Sequence, residues 1–188
     1  IASGGNYNVL IGDEAGTALT TGDMNTLIGF SAGDALNTPA SNTVVGAYAL
    51  TADTKGARSV AIGTGALETQ NFTSDTNVNN TAVGFQAGND ITTGIHNILI
   101  GGASGDALTD ADHNIAIGVS ALGADTQGSK SVAVGKAALE NQNFSSATDS
   151  HNVAVGYEAG NDITTGQFNT LLGSLSGDAY TDGDGNTA

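Results

Sequence analysis

A parallel β-solenoid, all-β and built of about ten stacked coils, is the fold class this sequence predicts, and three observations predict it. A short phrase recurs ten times in 188 residues: Asn or Ser, one variable residue, two apolar residues and Gly. Its glycines, Gly12, Gly29, Gly46, Gly63, Gly84, Gly101, Gly118, Gly135, Gly156 and Gly173, are spaced by 17, 17, 17 and 21 residues, and the same steps then repeat. The composition has 28 Gly, one Pro, no Cys, no Trp and 39% apolar residues, mostly Ala, Val, Ile and Leu, which suits thin strands and tight turns. A fixed short period marks stacked units. A glycine in every unit and the lack of helical periodicity argue against helices.

The four steps form a larger word. Residues 12–83 align with 84–155 without a gap, AGNDITTG recurs at 87–94 and 159–166, and a partial third copy covers 156–188. Residues 1–188 therefore read as a single solenoid segment. The chain opens on SGGNYN, a trailing loop, and closes on NTA, the start of another phrase. Neither end shows the polar cap that solenoids use, so the expectation is a window of a longer array or a segment flanked by other modules.

Within each coil the phrase comes first. With the phrase glycine as position 0, position −2 reads Leu10, Leu27, Val44, Ala61, Ala82, Leu99, Ala116, Ala133, Ala154 and Leu171. Position −1 reads Ile11, Ile28, Val45, Ile62, Val83, Ile100, Ile117, Val134, Val155 and Leu172. Neither column is ever polar. Successive strand residues face opposite ways, so one column fills the coil's interior and the other calls for a partner surface. Closed symmetry would bury that second column along an axis; the columns alone allow a dimer as well, and a homotrimer is the assembly expected of a fibre.

Past the glycine, position +3 is always Ala or Ser, which predicts tight packing. Position +4 rotates between Gly and Leu: Gly16, Gly33, Leu50, Leu67, Gly88, Gly105, Leu122, Leu139, Gly160 and Gly177. Coils with Gly carry Leu19, Leu36, Ile91, Leu108, Ile163 or Tyr180 at +7. Coils with Leu have Asp53 or Asp125 there, or lengthen to bring Phe72 or Phe144 into the same interior. Each coil thus supplies about one large apolar side chain, and full burial of one is worth roughly 1.5–3 kcal/mol. The opening Asn, replaced by Ser59 and Ser131 once per long repeat, predicts a hydrogen-bonded ladder along the axis. Ten coils spaced by about 4.8 Å give a rod of roughly 50 Å.

Charge restricts the function classes. Nineteen acidic residues against Lys55, Arg58, Lys130 and Lys136 give a net charge of −15, which argues against nucleic acid as a partner and favours solubility. No apolar run approaches the roughly 18 residues of a membrane span, and no membrane contact by this segment is expected. The lack of cysteine fits an exposed extracellular object that needs no disulfides.

Candidate chemistry is sparse. His96 and His113 occupy the same place in consecutive coils and should stack; His151 shares their column, but so do Tyr7, Met24, Ser41, Arg58, Asn79, Lys130 and Phe168, as on a solvated edge. Asp110, Asp112 and Asn114, and again Asp182, Asp184 and Asn186, resemble the opening of a calcium loop. The first run has Ile115 and Ala121 where an EF-hand needs Gly and an acid, so an Asp/Asn turn is expected. Paired threonines at 20–21, 92–93 and 164–165 invite comparison with ice-binding solenoids, yet return only every fourth coil. No converging acid, base and cation positions are visible. No catalytic, cofactor-binding or metal-binding residue is assigned, and no enzyme activity is expected.

The words SVAIG (59–63), SVAVG (131–135), NIAIG (114–118) and NTAVG (80–84) resemble the head repeats of trimeric autotransporter adhesins. NTAVGFQAG and NVAVGYEAG resemble repeats of bacteriophage tail fibres and related bacterial surface fibres. The resemblance implies a left-handed parallel β-roll in a tight homotrimer, displayed outside the cell or on a virion for attachment, although coils of 17 and 21 residues are longer than those of adhesin heads. It carries over no catalytic residue, because the shared motif is a packing motif. The expectation is a structural and adhesive segment of an extracellular fibre that holds or presents a surface for a host glycan or protein receptor. The competing expectation is a calcium- or ice-binding repeat solenoid of a secreted surface protein.

Overall fold

The structure, a computed structural model, describes residues 5–188; Ile1, Ala2, Ser3 and Gly4 of the opening loop lie outside the described residues. Among the described residues there are fourteen short strands and no helix. They are β1 (Val9–Ile11), β2 (Thr26–Ile28), β3 (Thr43–Val45), β4 (Gly56–Ala57), β5 (Val60–Ile62), β6 (Thr76–Asn77), β7 (Thr81–Val83), β8 (Ile98–Ile100), β9 (Ile115–Ile117), β10 (Gly128–Ser129), β11 (Val132–Val134), β12 (Thr148–Asp149), β13 (Val153–Val155) and β14 (Thr170–Leu172).

Ten of them, one per phrase, form a single parallel sheet in the order β1-β2-β3-β5-β7-β8-β9-β11-β13-β14. Phrase lies on phrase: Leu10 is paired with Leu27, Ala61 with Ala82 and Ala133 with Ala154. The predicted parallel solenoid of about ten coils is the observed fold. The turns ladder along the axis as well, for example Leu67 N–H to Ala87 O at 3.1 Å and His96 N–H to Val78 O at 3.0 Å.

Both unusual columns have a backbone reason. Every phrase glycine has φ between +133° and +147°, and a Cβ on Gly135 would lie 2.6 Å from the carbonyl carbon of Gly156 in the next coil. Position +4 is left-handed in every coil, Leu50, Leu67, Leu122 and Leu139 included, with φ of 50° to 55°. Glycine adopts that conformation without steric cost, whereas a leucine is strained by about 1–2 kcal/mol. Those four leucines are completely buried, which offsets the strain by roughly 1.5–3 kcal/mol each. The rotating core filler is a choice between an easy backbone with the side chain at +7 and a strained backbone with the side chain at +4.

The core departs from expectation in the long coils. Phe72 and Phe144 are buried but stand apart from the continuous Leu/Ile/Ala core. Phe144 packs against Gly128 of β10, where an added Cβ would lie 2.8 Å from its Cδ2. The +7 place in these coils belongs to Gln70 and Gln142, both buried, so a polar network occupies the volume that Phe was expected to fill. The expectation of one large side chain per coil also falls short where position −2 is Leu, as with Leu27 beside Leu36 and Leu99 beside Leu108.

Candidate interaction face

Alternation settles which phrase column points where. From Leu27 to Leu171 position −2 is buried, while positions −3 and −1 are half-buried or exposed on the opposite face. The outward columns read Val9, Thr26, Thr43, Val60, Thr81, Ile98, Ile115, Val132, Val153, Thr170 and Ile11 through Leu172; not one residue is charged. Exposed Tyr7, Met24 and Phe168 at position −5 border the face on one side, and Phe30, Phe85, Val119 and Tyr157 at position +1 border it on the other. Eighteen of the nineteen acids lie off these four columns, Asp13 being the exception. A protein of charge −15 thus presents one uncharged strip of Val, Ile, Leu and Thr, bordered by columns that also hold Arg58, Lys130 and Lys136. Its strands alone measure about 10 by 45 Å, and the aromatic borders widen it toward the roughly 800 Å² per partner of a stable interface.

The buried wall next to this face is polar and ordered. The side-chain oxygen of each phrase Asn accepts the backbone N–H of the next phrase, as from Asn25 to Asn8 (2.8 Å) and from Asn114 to Asn97 (2.9 Å). Its amide donates to a carbonyl 14 residues on, as Asn97 does to Ala111 O at 2.8 Å. The expected ladder is present, but it works mainly between side chain and backbone.

Ser59 and Ser131 mark its splices. A serine cannot reach the next coil's Asn, so Gln70 and Gln142 bridge the gap. Gln142 Nε2 donates to Ser131 Oγ (3.0 Å) and to Asp125 Oδ2 (2.5 Å), and Gln142 Oε1 accepts from Asn152 Nδ2 at 2.8 Å. The first long coil repeats this with Gln70, Ser59, Asp53 and Asn80. Asp125 Oδ1 in turn accepts the backbone N–H groups of Gly128 (2.9 Å) and Phe144 (3.1 Å). Burial pushes the Asp125 carboxyl above the usual range, opposed by the hydrogen bonds from Gln142 and the backbone. The smaller residue and the longer coil are one device, which explains why they recur together every fourth step.

The remaining candidates are structural in their contacts. His96 and His113 stack as expected, with ring centroids 5.0 Å apart, and His151 stacks on Phe168 at 5.3 Å. In the acidic runs, Asp112 Oδ1 accepts the N–H of Ile95 (2.8 Å) and Asp184 Oδ1 that of Gln167 (2.7 Å). These carboxylates close turns between coils, and among the described residues no group of three or more His, Cys, Asp or Glu is placed to hold a metal. Thr20, Thr92 and Thr164 belong to a longer column: position +8 is Thr or Asn in all ten coils. Their hydroxyls donate to the carbonyl of the next coil, at 3.1 Å in Thr20 and Thr92 and 3.0 Å in Thr164. Alignment on the phrase glycine, rather than a search for Thr pairs, is the signal that finds it.

Acidity carries a prediction. Burial raises the carboxyls of Asp34 and Asp106, helped by the charges of Glu14 and Asp90 respectively, as it does Asp125. An acid with a raised folded pKa holds its proton more tightly folded than unfolded, so stability rises as pH falls from neutral toward about 4. Relief of self-repulsion acts in the same direction. Asp149, held low by Lys130, and Glu158, held low by Tyr157 and Lys136, oppose this but are solvated. Circular-dichroism melts should therefore show a higher melting temperature at about pH 5 than at about pH 7.5; a lower melting temperature at about pH 5 would contradict the assignment.

No protein-family model matches the chain, and neither the curated proteins nor the solved structures contain a match.

Proposed function

We propose that this solenoid is a structural segment of a homotrimeric extracellular fibre, on a cell surface or a virion, that holds or presents a receptor-binding surface. One observation carries the reading: the outward face of the ten-stranded sheet is built of Val, Ile, Leu and Thr and carries no charged residue along its whole length, in a chain of net charge −15. Water leaves such a face at a gain of about 25 cal/mol per Å², and a face that repeats with the coil is covered best by a partner with the same repeat. A second and third copy of the chain provide that match. Threefold closure leaves no face open, whereas the acidic remainder keeps finished rods apart. The resemblance of the phrases to adhesin and tail-fibre repeats supports the same reading.

Three substitutions test it in one series. Ala154 is completely buried, Val155 faces outward and Thr64 is exposed. Ala154→Asp is expected to abolish the folded signal, because an unpaired charge enters the core. Val155→Asp is expected to keep the circular-dichroism spectrum and lose assembly, and Thr64→Asp to change neither. Analytical ultracentrifugation of the unaltered chain should report an elongated trimer. A stable monomer, or equal behaviour of Val155→Asp and Thr64→Asp, would overturn the proposal.

A further inference from the structure

We infer that Asn71 and Asn143 are acceptor sites for N-linked glycosylation. Each begins an Asn-x-Ser/Thr tripeptide without proline, Asn71-Phe72-Thr73 and Asn143-Phe144-Ser145, the pattern of an N-glycan acceptor. The same place in both long repeats carries it, and only in the 21-residue coils. A third tripeptide of this kind, Asn79-Asn80-Thr81, lies a few residues further on and provides an internal contrast.

The geometry separates the two kinds. At Asn71 and Asn143 the amide oxygen lies 3.2 Å from the hydroxyl of Thr54 or Thr126, whose single proton is directed mainly at the nearer carbonyl of Phe72 (2.8 Å) or Phe144 (2.9 Å), and no hydrogen bond engages the amide nitrogen. Both asparagines and the hydroxyl residues Thr73 and Ser145 are exposed. Between them Phe72 and Phe144 are buried, and their N–H groups are bound at 3.1 Å by Asp53 and Asp125. The middle residue is anchored and the two residues that a transferase must read stand outside. Asn79 is the reverse: it is half-buried, its amide nitrogen donates to Asn77 O at 3.1 Å, Asn80 beside it is buried in the Asn ladder, and Thr81 lies in β7.

Position also fits. Asn71 is nine residues past Ile62 and ten before Thr81, midway between two strands of the apolar face, so a glycan there would leave that face clear. The donor is a glycosyl phosphate, either a nucleotide sugar or a lipid-linked sugar pyrophosphate. The amide nitrogen attacks the anomeric carbon, a C–N bond forms as the anomeric C–O bond to phosphate breaks, and the phosphate departs with the electron pair. The nitrogen gives up one proton to a base of the transferase.

The test incubates the purified, folded chain with a nucleotide-sugar N-glycosyltransferase and its sugar donor, and separately with an oligosaccharyltransferase and a lipid-linked oligosaccharide. Intact mass and peptide mapping are the readouts. Two occupied sites, Asn71 and Asn143, with Asn79 unmodified are expected in at least one arm, and the arm that succeeds identifies the donor class. Unfolding the chain in urea and diluting it into the reaction should add Asn79. Asn71→Gln and Asn143→Gln should each remove one glycan; Thr73→Ala and Ser145→Ala, whose hydroxyls support nothing in the fold, should do the same with the melting temperature unchanged. Failure of both arms on the folded chain, or occupancy of Asn79 equal to that of Asn71, would overturn the inference.

Discussion

Gly135→Ala should unfold the stack, with a loss of more than about 4 kcal/mol, a size reserved for a few mechanisms. Two of them act together here. The backbone at Gly135 has φ of +136°, where a side chain costs about 1–3 kcal/mol. The added methyl would also press into the next coil, its carbon 2.6 Å from the carbonyl carbon of Gly156 and 3.3 Å from the amide nitrogen of Tyr157. Neither atom belongs to a flexible side chain, so relief requires the coils to separate, and the parallel pairing of β11 with β13 is lost. Gly65 supplies the control. It too has a positive φ, +67°, yet a Cβ there would meet only side-chain atoms, Glu68 Oε2 at 3.0 Å and Asn89 Nδ2 and Gln86 Cγ at 3.4 Å. Gly65→Ala should therefore show a backbone cost without a clash against the next coil's backbone. Urea titration of both variants by circular dichroism measures the difference, and equal midpoints would mean that coil-to-coil contact is not the reason for the glycine.

The second large effect concerns direction in a buried amide chain. Asp125→Asn removes a buried charge and changes the volume little, but it is expected to destabilise by about 1–3 kcal/mol. Asp125 only accepts, and this fixes Gln142 with Nε2 toward Asp125 and Oε1 toward Asn152. A carboxamide at position 125 that keeps its oxygen on the Gly128 and Phe144 amides turns an N–H₂ group toward another N–H₂ group. Flipping Gln142 only moves the conflict to Asn152, whose amide must donate to Gly166 O and whose oxygen must accept from Asn169. Adding Gln142→Glu should restore much of the loss. The new carboxylate accepts both from the introduced amide at position 125 and from Asn152, and the Ser131 hydroxyl turns to donate. A double-mutant cycle read by thermal melts decides the matter; simple additivity would refute the directional account.

Much of this was legible in the sequence because a stacked coil converts sequence period directly into space. Residues 17 or 21 apart become neighbours, so the two apolar phrase columns, the constant Ala/Ser column and the stacking of His96 on His113 could be read by alignment alone. What resisted was anything that depends on backbone conformation or on contacts across the coil. The left-handed turn at Leu50 and Leu67 leaves no composition signal, since leucine is a poor marker of positive φ. Gln70 and Gln142 stand at position +7, where most other coils carry a large apolar residue, and their role depends on serines 11 residues away in the chain; Phe72, large and apolar, reads as the core filler instead. The Thr/Asn column at position +8 was hidden by its alternation.

By itself the sequence determined the parallel solenoid, the number of coils, the four-coil word and the existence of an apolar column beyond what one interior requires. The tertiary structure decided that position −2 faces in and positions −3 and −1 face out, that the asparagine ladder runs mainly through the backbone, and that each Ser-for-Asn exchange is bridged by a glutamine held in one direction by a buried aspartate. The division has a physical cause. Periodicity is a property of the chain and survives in one dimension, whereas hydrogen-bond direction and steric contact between coils exist only once the coils are stacked about 4.8 Å apart.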